Sequence, residues 1–286
     1  AYLMLPDRVR RAVGPERVAA AARLLRWAKR SYLVVIILGI IVGLQVAPVA
    51  STFVTTPVSG SVAVVPLSGS INGANAASTV ERLERARENP RIEAVVLHVN
   101  SGGGGASAGE EIYLEVRRTA EQMPVVASVD SLGASAAYYA AAPADAIFVK
   151  PATLIGSVGT IFIAPSDLEP IDEVVITGPN KISGANLRAW HHKVESVQNA
   201  FVSSVYRHRG DRLTLSPEEL AYASLYSGPE AVENGVADRL GGLRDAIAHA
   251  ASLAHLTTYD TDVLSYSGTV TYLTRTAYTA SAVEDK

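Results

Sequence analysis

Ser131-Leu132-Gly133-Ala134-Ser135-Ala136-Ala137-Tyr138-Tyr139 sets one serine among very small residues and just ahead of two tyrosines. Before it, Pro124–Val129 is apolar and β-branched, which predicts a short buried strand. From Ala134 onward the small residues and paired tyrosines predict a helix, so Ser135 is expected at or near a helix N-terminus. Unpaired N–H groups and the positive end of the helix dipole favour an anion there, including the oxyanion of an acyl-transfer intermediate. An N-cap serine, or a close contact between helices, explains the same nine residues.

Upstream, Ile92–Val99 predicts a second strand, and Asn100-Ser101-Gly102-Gly103-Gly104-Gly105 follows it directly. A helix is expected from about 107 to 123. Four glycines between strand and helix expose backbone N–H groups and permit positive φ. Neither the GxGxxG nor the GxxxxGK[ST] spacing is present, which argues against nucleotide binding and leaves oxyanion binding or a tight turn. Earlier still, Val62–Leu67 predicts a strand that Pro66 places at an edge or an end, and 76–88 predicts an amphipathic helix stopped by Asn89-Pro90.

Downstream come the short apolar run Ala146–Val149, then Pro151–Gly159 and Ile161–Ile163. Val174–Thr177 predicts a further strand, leading into the loop Gly178-Pro179-Asn180-Lys181. Leu187–Arg209 and 243–254 predict helices, with a helix-start signal at Ser216-Pro217-Glu218-Glu219. Successive strand and helix units predict an α/β fold. Residues 257–286 alternate only weakly and are expected to form a hairpin or a disordered tail.

The ends of the chain differ in character. Residues 1–30 hold eight Arg or Lys against two acids, whereas residues 51–286 hold 17 against 26. Residues 31–50 carry no charge and are almost continuously apolar, long enough at about 20 residues to cross a bilayer. They are expected to form one transmembrane helix, and the basic flank places the N-terminus in the cytoplasm and all that follows outside. A cleaved secretory signal and a nucleic-acid arm fit less well, because the apolar run and its basic lead are both long. A linker is expected over 51–61, the folded domain over 62–255 and an extension over 256–286.

The 286 residues contain no cysteine, which excludes disulfides, thiolate catalysis and cysteine-ligated metals. The six histidines show no metal-ligand spacing, so neither metal nor cofactor is expected. A serine nucleophile needs a base, and a lysine serves only if burial lowers its pKa. Of the five lysines, Lys29 falls in the cytoplasmic segment, Lys193 in a polar run and Lys286 at the terminus, leaving Lys150 and Lys181. Lys181, flanked by apolar residues, is the better candidate. His98 with Asp130 or Asp145 is a third arrangement, since strand alternation gives His98 the facing of Asn100.

These segments, across 62–254, resemble the signal peptide peptidase A (protease IV) family of serine–lysine peptidases, which share the Clp protease/crotonase-like spiral of ββα units. The resemblance rests on five motifs in order: Asn100-Ser-Gly-Gly-Gly104, Gly133-Ala-Ser-Ala-Ala-Tyr-Tyr139, Ile155-Gly-Ser-Val-Gly159, Gly178-Pro-Asn-Lys181 and Ser227–Asp238. It implies Ser135 as nucleophile, Lys181 as general base, the amides of Gly103, Gly104 and Ser135 as oxyanion hole, and substrate contacts at Gly102, Gly133, Ala134 and Ser157. It also implies remnant signal peptides and other apolar peptides as substrates, and a homo-oligomeric ring. Two departures stand out: Gly102 replaces the family's usual proline, and Ala136-Ala137 replace two glycines. A degenerate membrane scaffold and a crotonase-type acyl-CoA enzyme are the rival readings.

Overall fold

The computed structural model describes residues 60–163, 184–265 and 270–272, with four single helical positions at 16, 20, 23 and 27. The chain separates into two units, Ala1–Pro57 and Val58–Lys286, and the fold described below belongs to the second. Residues 31–50, read from sequence as a transmembrane helix, lie outside the described residues, as do Val174–Thr177 and Lys181. Among the described residues no helix is long and apolar enough to cross a membrane.

Strand β1 (Gly60–Ser68) leads to helix α1 (Gly73–Glu88), β2 (Ile92–Ser101), α2 (Ala106–Ala120), β3 (Val125–Ala134) and α3 (Ala136–Ala141). Strands β4 (Ala146–Val149) and β5 (Leu154–Gly156) follow, then α4 (Leu187–Arg209), α5 (Pro217–Leu220), β6 (Leu225–Ser227) and α6 (Gly228–Glu233). The chain continues through β7 (Arg239–Leu240), α7 (Leu243–Leu253), β8 (Tyr259–Leu264) and β9 (Val270–Tyr272). Strands β1, β2, β3, β4, β5, β7 and β8 pair in parallel, while β5–β6 and β8–β9 pair antiparallel. The result is a mixed α/β domain on a mainly parallel sheet, in the order β6-β5-β3-β2-β1-β8-β9, with β4 and β7 branching from β3.

Parallel strands buried on both faces read as continuous apolar runs, and β1 to β3 do so here. Alternate residues feed two cores. Val65, Leu67, Leu97, Val99, Ala127 and Val129 pack beneath α1 to α4. Val62, Val64, Val96, Val126 and Phe148 face α7 instead. Pro66 is tolerated because β8 runs beside β1 only from Gly60 to Val64, so at Pro66 the strand has a single neighbour. Its carbonyl accepts a hydrogen bond from Arg82 at 2.8 Å.

The branch originates in an irregularity of β3. Between the pairs Val99↔Val129 and Ser101↔Gly133, three residues of β3 stand against one of β2. The first half of β3 therefore pairs with β4 and its second half with β5. Buried Thr153 donates to the Asp130 carbonyl exposed at the kink, at 2.6 Å.

Two boundaries differ from the sequence expectation. The helix expected from Ala134 begins at Ala136, because Leu132, Gly133 and Ala134 are held as strand by Leu154, Ile155 and Gly156 of β5. The segment after 255 supplies β8, which enters the main sheet beside β1 as well as forming a hairpin with β9, so the sheet continues past the boundary read at 255.

Candidate active site

Ser135 sits between the last residue of β3 and the first of α3, with φ 55° and ψ −126°. Positive φ is unfavourable for a residue with a Cβ and persists only where the surroundings impose it. Here the Ser135 N–H donates to the Gly156 carbonyl at 2.9 Å, and its own carbonyl accepts the first helical bond, from Tyr139, at 2.9 Å. The turn projects the side chain outward, and among the described residues its hydroxyl has no hydrogen-bond partner.

The turn rests on the glycine loop. Gly103 has φ 94°, and a Cβ there would lie 2.8 Å from the Ala134 oxygen and 2.9 Å from both the Ala136 nitrogen and the Ser135 Cβ. At Gly104 a Cβ would meet the Ile71 carbonyl oxygen at 2.0 Å, and at Gly109 it would meet the Ala136 Cβ at 2.7 Å. That last contact explains why alanine fits at position 136: its methyl occupies the space left by the absent side chain of Gly109.

Ser135 opens into a cleft of about 990 Å³. Its walls include Gly102, Gly104, Glu110, Ser157, Ile161 and Phe201. Among the described residues four non-glycines have positive φ, and three of them, Ser135, Ser157 and Ala223, line this cleft. Each such residue costs roughly 1–3 kcal/mol, so the strain is concentrated where a reaction would take place. One chain of backbone bonds links the three regions: Ser135 N–H to Gly156 O, then Ser157 N–H to Ser224 O at 2.7 Å.

The residues singled out in the sequence divide accordingly. Gly102, Gly104, Ser135 and Ser157 are brought together at the cleft. Gly133 and Ala134 are buried within β3, paired to Ile155 and Gly156, and do not form part of the described wall. Of the three amides expected at the oxyanion hole, two already have an acceptor. The Ser135 N–H donates to Gly156, and the Gly103 N–H donates to Ser101 Oγ at 3.0 Å. The Gly104 amide and that of Ala136, at the first position of α3, have no acceptor among the described residues.

Lys181 lies outside the described residues. Lys150 forms a short ion pair with Asp130, which holds the Asp130 carboxyl below its usual range. His98 belongs to the same group: burial lowers its pKa, opposed by Asp130 and reinforced by Lys150. Alternation places His98 with Val96 on the α7 face of β2, and neither His98 nor Lys150 lines the cleft. A Ser–His–Asp set is not assembled by these residues.

Sequence reasoning missed the contributions of Glu110, Ile161, Phe201 and Ala223 to the cleft. The exposed apolar run Ile161–Ile163 was the available signal: Ile161 is 92% exposed, and Phe162 stacks on Trp190 at 4.0 Å. A left-handed alanine at position 223 leaves no mark in a sequence.

A strand-to-helix turn that forces a serine into positive φ at the edge of an open cleft is the geometry of enzymes that present serine for nucleophilic attack. Comparison with known proteins agrees with that class. Residues 117–169, which include Ser135, match the family described as Peptidase family S49. Protease 4 of Salmonella typhi is 30% identical over 221 residues, covering 71% of this chain and 35% of that protein. The chloroplastic serine protease SPPA of Arabidopsis thaliana is 29% identical over 63% of this chain and 29% of its own length. The putative signal peptide peptidase SppA of Enterococcus faecium is 28% identical over 69% of this chain and 61% of its own. The chain belongs to the signal peptide peptidase A family of serine peptidases, and it spans about a third of the length of the first two relatives.

Proposed function

We propose that this chain is a membrane-anchored serine endopeptidase in which Ser135 attacks the peptide carbonyl and Lys181 accepts the serine proton. Lys181 then returns that proton to the leaving amine, and water hydrolyses the acyl-enzyme. The observation that carries this reading is the strained Ser135 at the cleft, whose hydroxyl has no partner among the described residues, within the segment matched by the family. The engagement of Lys150 by Asp130 supports Lys181 as the base. Gly104 and Ala136 are the amides best suited to the oxyanion, since both border the cleft and neither has an acceptor among the described residues.

Remnant signal peptides and other apolar, extended segments are the proposed substrates. Ile161, Val197 and Phe201 along the cleft support an apolar ligand. Residues 31–50 would anchor the chain, with the N-terminus cytoplasmic and the catalytic domain on the outer side. The domain would adopt the Clp protease/crotonase-like spiral, a reading supported by the branch at β3, and would assemble as a homo-oligomeric ring. No cofactor takes part in this scheme.

The test is cleavage of a synthetic apolar signal peptide by the full chain in detergent, comparing the parent with Ser135→Ala and Lys181→Ala. Loss in both, with unchanged oligomeric state, is expected. Activity that survives Lys181→Ala would move the base elsewhere, and an inactive parent would favour the scaffold reading.

A further inference from the structure

We propose that Glu110 makes this cleft select an extended peptide carrying one cationic side chain close to the cleaved bond. The inference rests on the peptidase reading and adds a charge preference to an otherwise apolar substrate.

Glu110 is an exposed residue on α2 and borders the same cleft as Ser135. Its position relative to the nucleophile is fixed by its neighbour: Gly109 packs against Ala136 so closely that a Cβ would stand 2.7 Å from the alanine Cβ. Glu110 therefore follows directly on the contact that joins α2 to the start of α3. The Tyr139 hydroxyl, whose pKa is raised first by burial, also feels the Glu110 charge, which puts that carboxylate within electrostatic reach of the cleft floor.

Among the described residues that line the cleft, Glu110 alone carries a formal charge. It makes no ion pair or hydrogen bond among the described residues, whereas Glu115, five residues further along α2, is engaged by Arg87 and Arg118. The rest of the wall is glycine, alanine, serine, threonine, glutamine, valine, isoleucine, tyrosine and phenylalanine. A wall whose described residues carry one charge, a carboxylate, favours ligands that bring a cation and disfavours those that bring a second anion. The volume lies at the upper end of the range of about 300–1,000 Å³ usual for ligand clefts, enough for several peptide residues.

The experiment uses the full chain in detergent and apolar peptides carrying a single lysine at successive positions, each paired with its norleucine counterpart. At one position near the scissile bond the lysine peptide is expected to show roughly fivefold higher kcat/KM at low salt, as for a partly exposed ion pair, declining as salt is added. Glu110→Gln brings the ratio to about one, and Glu110→Lys reverses it. Glu110 is exposed, and an unchanged Tm in both variants confirms their folding. The absence of a lysine preference at every position, or a preference that persists in Glu110→Gln, overturns the proposal.

Binding separates this result from failure of the peptidase reading. Fluorescence anisotropy of the same labelled peptides on Ser135→Ala, with and without Glu110→Gln, reads the preference even where the parent cleaves nothing. Tighter lysine-peptide binding that disappears with Glu110→Gln upholds the charge preference, and equal binding throughout overturns it.

Discussion

Gly103 and Gly104 are neighbours in one loop, yet alanine at each would be resisted by different atoms. At Gly103 the obstacles belong to the turn around Ser135, and the backbone is left-handed. Gly103→Ala is therefore expected to lower kcat/KM at least tenfold while shifting Tm by only a few degrees. At Gly104 the obstacle is the Ile71 carbonyl, which accepts from Gly105 N–H and ties the loop to the segment after β1. Gly104→Ala should cost about 2–3 kcal/mol of stability, measured by denaturant unfolding, whatever its effect on activity. Ser135 itself trades stability for presentation. Ser135→Gly removes the cost of positive φ and should raise stability by about 1 kcal/mol, read as a Tm increase of about 2–4 °C, while activity disappears. A lower Tm would mean that the side chain, and not the backbone, governs that turn. The tight turn at Ser135 and its glycine support were legible because small residues and glycine runs name their own constraint. The positive φ of Ser157 and Ala223 was not, because nothing about serine or alanine announces it.

At the scale of elements, strands and helices were legible wherever the pattern was local. The continuous apolar runs of β1 to β3 follow from neighbouring residues alone, whereas α1 starts at Gly73, ahead of the start expected at 76, where the Asn72 side chain accepts from Asn75 N–H at 3.0 Å. Strand β8 was not legible as part of the main sheet, because its partner β1 lies at the other end of the domain. Likewise the end of β3 depends on β5 holding Leu132 to Ala134, which overrides the helical preference of small residues. Helix α4 shows a division along its length. Its buried residues Phe201, Ser204, Val205 and Arg209 all fall in its second half, while Leu187 and Val197 are exposed in the first. Amides of 187–200 should exchange with deuterium faster than those of 201–209 in dilute protein. If the proposed ring forms through this half, protection at 187–200 will rise with protein concentration. Uniform protection along α4 at every dilution would contradict this division.

For the whole molecule, three histidines share one electrostatic habit. Burial lowers the pKa of His98, His208 and His249, so the folded state binds fewer protons than the unfolded chain once pH falls to about 6.5. Their contribution is complete above that value and declines as pH drops through it towards the lowered values of the folded state. Tm should hold between pH 8 and 7 and fall between about 6.5 and 5, and a flat profile across that interval would disprove the account. The link from Ser135 through Gly156 and Ser157 to Ser224 bears on how such an enzyme can diversify. Ala223 touches the same arrangement, since a Cβ on Gly159 would stand 2.7 Å from its methyl. Substitutions between 221 and 226 would act on that link from far along the chain. Laboratory selections for altered peptide preference should accumulate changes there while the residues around Ser135 stay as they are.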